Sequence, residues 1–300
     1  MPRFLPARRL ALGALAVLAG GIVAAQESGE AVSRDYSGLS GDANRGFYVA
    51  RVAGCVTCHR ATDESGSLFS GGLQIESRAG TYVVPNITPH PEDGIGSWTF
   101  EDFARSLTEG LDPEGRHYFP VYPYPFYTHM TTQDIMDLWE AVKSVPPVAG
   151  RAPGHRLRLF YRMRGAVGAW KNRFFDRGEL APVEGKSEQW NRGRYLSEGP
   201  AHCGACHTPR GAMGGRDLSR RYQGGVEKVG SNGPDITTAT LEANGWTEGD
   251  VAWSLRSGIM PDGDAFGSSM SELVQHGTRY MSNADLAAIA NYFFDQPPPE

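Results

Sequence analysis

An apolar stripe at helical spacing occurs twice in this chain, near the ends of its two halves. Ile135, Leu138 and Val142 fall three and four residues apart, as do Leu286, Ile289 and Phe293. Each set follows a cap residue, Thr131 or Ser282, with Asp134 or Asp285 three positions on, so each half is expected to end in an amphipathic helix. Upstream, the stretches from Trp98 to Leu107 and from Trp246 to Leu255 read as copies. Thr99 with Asp102, and Thr247 with Asp250, predict a capping-box start, and Gly110 and Gly258 predict the stop. A shift of 148 residues also superposes Pro113 on Pro261 and Gly115 on Gly263, and the shift grows to 151 at the last helices. Asn44-Arg45-Gly46-Phe47-Tyr48 matches Asn191-Arg192-Gly193-Arg194-Tyr195. The pattern predicts a mainly α protein built by duplication.

One apolar run is of another kind. Arg3, Arg8 and Arg9 precede an uncharged stretch from Leu10 to Ala25 that ends in Val23-Ala24-Ala25, which predicts a signal peptide over 1–25 cleaved after Ala25 and a periplasmic product. A retained anchor is the alternative, but sixteen residues fall short of the roughly 20 that a spanning helix needs. Residues 26–300 carry 26 Lys+Arg against 34 Asp+Glu, and this net acidity argues against a nucleic-acid-binding surface. A composition of 40% hydrophobic residues excludes a disordered chain, and 38 Gly with 20 Pro predict short helices joined by many loops.

All four cysteines lie in two copies of one motif, Cys55-Val56-Thr57-Cys58-His59 and Cys203-Gly204-Ala205-Cys206-His207. The C-x-x-C-H pattern is the attachment signature of haem c: two thiols one helical turn apart add to the porphyrin vinyl groups, and the adjacent imidazole binds the iron. Two covalently bound haems c are therefore expected, with His59 and His207 as proximal ligands. A redox-active dithiol would not need a histidine after each second cysteine. A four-thiolate zinc site would leave both histidines idle.

The halves are expected to span 26–147 and 187–300, joined by a linker over 148–186 without a counterpart in the repeat. The linker interleaves Arg151, Arg156, Arg158, Arg162, Arg164, Lys171 and Arg173 with Phe160, Tyr161, Trp170, Phe174 and Phe175. The aromatics are expected to pack across both halves and hold the haems close together, with the arginines facing water or haem propionates. A partner or membrane-surface contact is the other reading of this composition.

The distal ligands decide what the iron can do, because a thioether closes the coordination sphere and suits electron transfer, whereas an open position suits peroxide chemistry. In the second half Met270 is expected as the ligand from a loop before the last helix; Met281 has the position of a hydrophobic staple, and Met260 sits in a turn. In the first half the 148 shift places Tyr122 opposite Met270, and Met130 matches Met281. Met130 is ranked first there, ahead of Tyr122, with His117, His129 or a five-coordinate iron also left open. His90, His155, His202 and His276 are expected to be surface or hydrogen-bonding residues.

Gly193-Arg194-Tyr195-Leu196 followed by His202-Cys203-Gly204-Ala205-Cys206-His207-Thr208-Pro209-Arg210 resembles the cytochrome c subunits of bacterial membrane-bound alcohol, gluconate and aldehyde dehydrogenases. Asn86-Ile87-Thr88-Pro89, Gly94-Ile95-Gly96-Ser97-Trp98 and Pro120-Val121-Tyr122-Pro123-Tyr124 carry the same resemblance, which covers about Asn44 to Pro298. It implies two tandem class I cytochrome c-like helical domains that take electrons from a dehydrogenase donor subunit. The acceptor would be quinone, a terminal oxidase, or a small cytochrome or copper protein, with association to a membrane complex left open. Relatives commonly carry a third haem domain and a carboxy-terminal membrane helix, whereas this sequence runs to Glu300 after its second repeat, and they often have methionine where Tyr122 stands. No catalytic site of its own is expected; a dihaem cytochrome c peroxidase, with one iron open to peroxide, is the alternative.

Overall fold

The computed structural model describes residues 34–62, 66–225 and 233–297; the expected signal peptide at 1–25 lies outside the described residues. In chain order the elements are α1 (Ala43–Val52), α2 (Cys55–His59), β1 (Gln74–Ser77), β2 (Gly80–Val83), α3 (Phe100–Thr108), α4 (Tyr124–Tyr127), α5 (Thr132–Ser144), β3 (Arg156–Leu157), α6 (Arg164–Phe174), α7 (Glu188–Glu198), α8 (Gly204–His207), α9 (Thr238–Ala243), α10 (Glu248–Ser257), α11 (Ser268–His276) and α12 (Asn283–Phe294). The expected mainly helical class holds.

The caps form where the sequence places them. Asp102 N–H donates to Thr99 Oγ1 at 3.1 Å while Thr99 N–H donates back to the Asp102 carboxylate at 3.1 Å, and Thr247 with Asp250 repeats the box at 3.2 and 2.9 Å. Thr131 and Ser282 cap α5 and α12 by accepting from the Asp134 and Asp285 backbones at 3.1 and 3.0 Å. Gly258 ends α10 in the left-handed region, and Gly110 takes the same conformation just past α3.

Each half packs its entry helix against its last helix, α1 on α5 and α7 on α12. The backbones meet at matched glycines: a Cβ on Gly46 would fall 1.9 Å from the Asp137 carbonyl oxygen, and one on Gly193 would fall 1.9 Å from that of Ala288. Two buried clusters grow from these crossings. Val49, Phe103, Leu107, Ile135 and Leu138 belong to the first, and Trp190, Leu196, Leu286, Ile289 and Tyr292 to the second.

Charge also pins the first crossing. The Asp137 side chain, 1% exposed, accepts from Arg45 Nε and Nη2 at 2.8 and 3.0 Å, from the Asp42 N–H at 2.7 Å and from Gln133 Nε2 at 2.9 Å. Burial alone would raise this carboxyl, but the bonds from Arg45, Asp42 and Gln133 outweigh it and hold it below the usual carboxylate value. A lowered folded-state value means the stabilisation is complete above the unfolded value of about 3.9 and is lost as pH falls through the folded one. Asp137→Asn is expected to cost about 2 kcal/mol near neutrality and to make the acid-unfolding limb shallower; urea titrations at about pH 7 and about pH 3 check both.

One expectation needs correction and one needs extension. The helical reading missed a three-stranded antiparallel sheet, β1-β2-β3, in which Ile75 pairs with Tyr82 and Gly80 with Leu157. Gly80, with φ +119°, lets β3 approach so closely that a Cβ there would fall 2.3 Å from the Arg156 carbonyl oxygen. Secondly, the linker bridges the halves as expected, through Phe175 edge-on to Tyr124 at 5.2 Å and Trp170 Nε1 donating to the Met213 carbonyl at 3.1 Å, but it does not act alone. The Tyr48 hydroxyl, on α1, donates to the Asp285 carboxylate and accepts from the Ser282 N–H at 3.2 Å, at the start of α12. Tyr195, on α7, makes the same pair with Asp134 and the Thr131 N–H, the latter at 3.2 Å, at the start of α5. The two halves thus cap each other reciprocally, and the described residues form one compact unit.

Candidate haem-attachment sites

Helix α2 carries the first motif and α8, with Cys203 at its cap, the second. Each brings its two sulfurs onto neighbouring turns, with Cys58 N–H on the Gly54 carbonyl at 3.0 Å and His207 N–H on that of Cys203 at 3.0 Å. None of the four cysteines is paired in a disulfide. Burial pushes the Cys55 and Cys203 thiols up to about 12, away from the lowered value that a redox-active dithiol requires. Among the described residues no three of His, Cys, Asp or Glu converge as a metal cluster, so the two cysteine pairs do not assemble the four-thiolate site weighed from sequence.

The two histidines are held identically. His59 Nδ1 donates to the Pro85 carbonyl at 2.8 Å, and His207 Nδ1 donates to the Pro234 carbonyl at 2.8 Å. Because a carbonyl can only accept, the proton is fixed on Nδ1 and Nε2 keeps its lone pair for a metal. Burial lowers both imidazoles, His59 to about 4, so the neutral, ligating form prevails. Thiols one turn apart beside an imidazole with a fixed tautomer fit the donor set of a covalently attached haem.

A shared frame sets the acceptor carbonyls. Phe69 and Tyr222, both with φ near +64° at 65° and 63°, receive the Ile87 and Ile236 N–H groups on their carbonyls at 2.8 and 2.9 Å. Asn86 Oδ1 accepts from the backbone and hydroxyl of Thr88 at 2.8 and 2.7 Å, and Asp235 Oδ1 does so from Thr237 at 2.8 and 2.6 Å. Pro85-Asn86-Ile87-Thr88 and Pro234-Asp235-Ile236-Thr237 are thus copies with a shift of 149, a further element of the repeat.

The candidate distal residues are placed as follows. Met270 lies half-buried on α11, so the expected loop is a nine-residue helix. That helix also touches the first attachment segment, with Leu273 against Gly54 and Glu272 2.7 Å from Arg60. Met130 is wholly buried in the first cluster beside Ile135, and Met281 is buried beside Leu286 in the second, each directly before its capped helix. Tyr122 packs on Tyr127 at 5.8 Å in the cluster that includes Cys55, and burial keeps both hydroxyls protonated. His117 meets Lys171 Nζ at 3.0 Å, and His129 Nδ1 donates to the Gly178 carbonyl at 2.8 Å.

The structure also brings the two motifs together. His202, directly before Cys203, lies edge-on to Tyr127 at 5.8 Å, and its Cε1 would be 3.5 Å from a Cβ on Gly54, directly before Cys55. His202 is therefore a half-buried residue of the seam, with Nδ1 donating to the Pro200 carbonyl at 2.8 Å.

No protein-family model matches the chain. Among curated proteins it is 40% identical over 266 residues to a diheme cytochrome c-type protein of Cereibacter sphaeroides, covering 86% of each chain. It is 34% identical over 298 residues to the cytochrome c subunit of a quinone alcohol dehydrogenase of Gluconobacter oxydans, covering 96% of this chain and 59% of that subunit. Against the fructose dehydrogenase cytochrome subunit of Gluconobacter japonicus it is 33% identical over 264 residues, covering 85% of this chain and 52% of the relative. The chain thus spans just over half the length of these two dehydrogenase subunits.

Proposed function

Since the chain belongs to the dihaem cytochrome c family, related to dehydrogenase cytochrome subunits, we propose that it is a periplasmic electron relay between a dehydrogenase donor and the respiratory chain. The carrying observation is the duplicated arrangement of paired thiols and a histidine whose Nδ1 is fixed on a proline carbonyl, at His59 and again at His207. Each bound haem supplies a one-electron iron couple. Cys55 and Cys58, and Cys203 and Cys206, tether it; His59 and His207 present Nε2 to it; and the carbonyls of Pro85 and Pro234 keep those rings from rotating. Met270 is the proposed distal ligand in the second half and Met130 in the first. The Gly54–His202 contact holds the attachment segments against each other, which suits transfer within the molecule.

In this proposal two cytochrome c-like units, 26–147 and 187–300, flank the linker 148–186. Export follows from the segment 1–25, and among the described residues no helix is long and apolar enough to cross a membrane. The donor is a dehydrogenase subunit, and the acceptor a quinone, a terminal oxidase, or a small cytochrome or copper protein. Visible and EPR spectra of the native protein are expected to show two low-spin, six-coordinate haems, with two electrons taken up per chain and no peroxide turnover. A high-spin haem that turns over peroxide overturns the relay in favour of a peroxidase.

A further inference from the structure

The linker carries a feature that haem binding does not use. Between Val148 and Arg177 it holds eight basic residues and one acidic residue, Asp176, while the rest of 26–300 has 18 basic against 33 acidic. Strand β3 fastens one end to the sheet, with Leu157 buried and Arg158 N–H on the Ala79 carbonyl at 2.8 Å. Helix α6 fastens the other through buried Val167. Between these anchors the tight turn Leu159–Arg162 is held out, and Leu159 is 82% and Met163 60% exposed. Arg158 and Arg162 are exposed on the same turn, and Arg78 on the adjacent β1-β2 hairpin is exposed as well.

We propose that this turn docks the protein on an anionic phospholipid surface, with Leu159 and Met163 entering the headgroup layer and Arg158 and Arg162 meeting the phosphates. The chemistry favours lipid over a protein partner for two reasons. The apolar groups project singly from a turn of a few residues, whereas a stable protein interface offers a packed face of about 800 Å² per partner. Moreover, an otherwise acidic molecule has concentrated its positive charge beside those projecting groups, which is the pairing of apolar insertion with headgroup attraction that holds proteins at a bilayer surface.

Flotation of the full holoprotein with vesicles tests this independently of the haem assignment. Binding is expected to vesicles of phosphatidylcholine with about 30% phosphatidylglycerol but not to phosphatidylcholine alone, and to fall steeply between about 20 and about 300 mM salt. Leu159→Ser with Met163→Ser, and separately Arg158→Gln with Arg162→Gln, should each lower the bound fraction about tenfold or more. Trp253→Ser, which removes an apolar side chain 60% exposed on α10, should leave it unchanged. Circular dichroism identical to the parent keeps the comparison fair. No flotation with either vesicle, equal flotation with both, or an equal loss in Trp253→Ser overturns the proposal. So does capture of a dehydrogenase subunit through this turn by a protein that ignores vesicles.

Discussion

Gly193→Ala is expected to destabilise the protein by about 3 kcal/mol, although alanine is the better helix former. Helix propensity alone would favour the change by up to about 1 kcal/mol. Against that, the new methyl carbon would sit 1.9 Å from the Ala288 carbonyl oxygen, which belongs to a rigid helix and cannot turn aside. Helices α7 and α12 would have to part by more than an ångström, loosening Trp190 on Tyr292, now at 5.3 Å. Overpacking costs roughly 1–3 kcal/mol where side chains can adjust, and a clash of backbone with backbone belongs at the top of that range or above it. Gly46→Ala should behave alike at the other crossing. Gly165→Ala, on α6 with nothing near its missing Cβ, supplies the control and should gain about 0.5–1 kcal/mol. Urea denaturation of the three variants checks the order, and a Gly193→Ala protein as stable as Gly165→Ala would show that the helices are not in such close contact.

The double substitution Cys203→Ser, Cys206→Ser is expected to remove one covalent haem and leave the other. Serine keeps the shape of each side chain, but its hydroxyl lacks the nucleophilic sulfur that forms the thioether. Since His207 remains bonded to Pro234, the second site would keep its imidazole while losing its tether. Intact mass should drop by one haem, and the haem absorbance should fall to about half, with the spectrum of the first site intact. The mirror pair Cys55→Ser, Cys58→Ser should leave the second site instead. Retention of both haems, or loss of both, would contradict one independent tether per half.

Much of this was legible because duplication writes each device twice. The Thr99-Asp102 and Thr247-Asp250 boxes, the caps at Thr131 and Ser282, and the matched Gly46 and Gly193 all read from spacing, since each is a local backbone requirement. Harder to see was whatever depends on contacts between distant segments. Strand β3 has two residues and no periodicity to announce it, and it exists because Gly80 leaves room beside β2. Helix α11 begins within Gly267-Ser268-Ser269, a run that reads as loop, and it packs on the first attachment segment. His202 carries no signal in its spacing because its partner, Gly54, lies in the other half. The acceptor prolines were readable in principle: a proline before Asn-Ile-Thr and another before Asp-Ile-Thr are the same turn written twice.

The reciprocal tyrosines give the molecule the self-complementary contact of a two-fold dimer, enclosed within one polypeptide. Tyr48 completes the start of α12, and Tyr195 completes the start of α5, so neither repeat contains all the groups that finish its own closing helix. A fragment holding only one repeat would expose a capped aspartate, Asp134 or Asp285, stripped of its phenol. Inheritance of the pair as a unit, and cooperative rather than stepwise melting, follow from that shared construction.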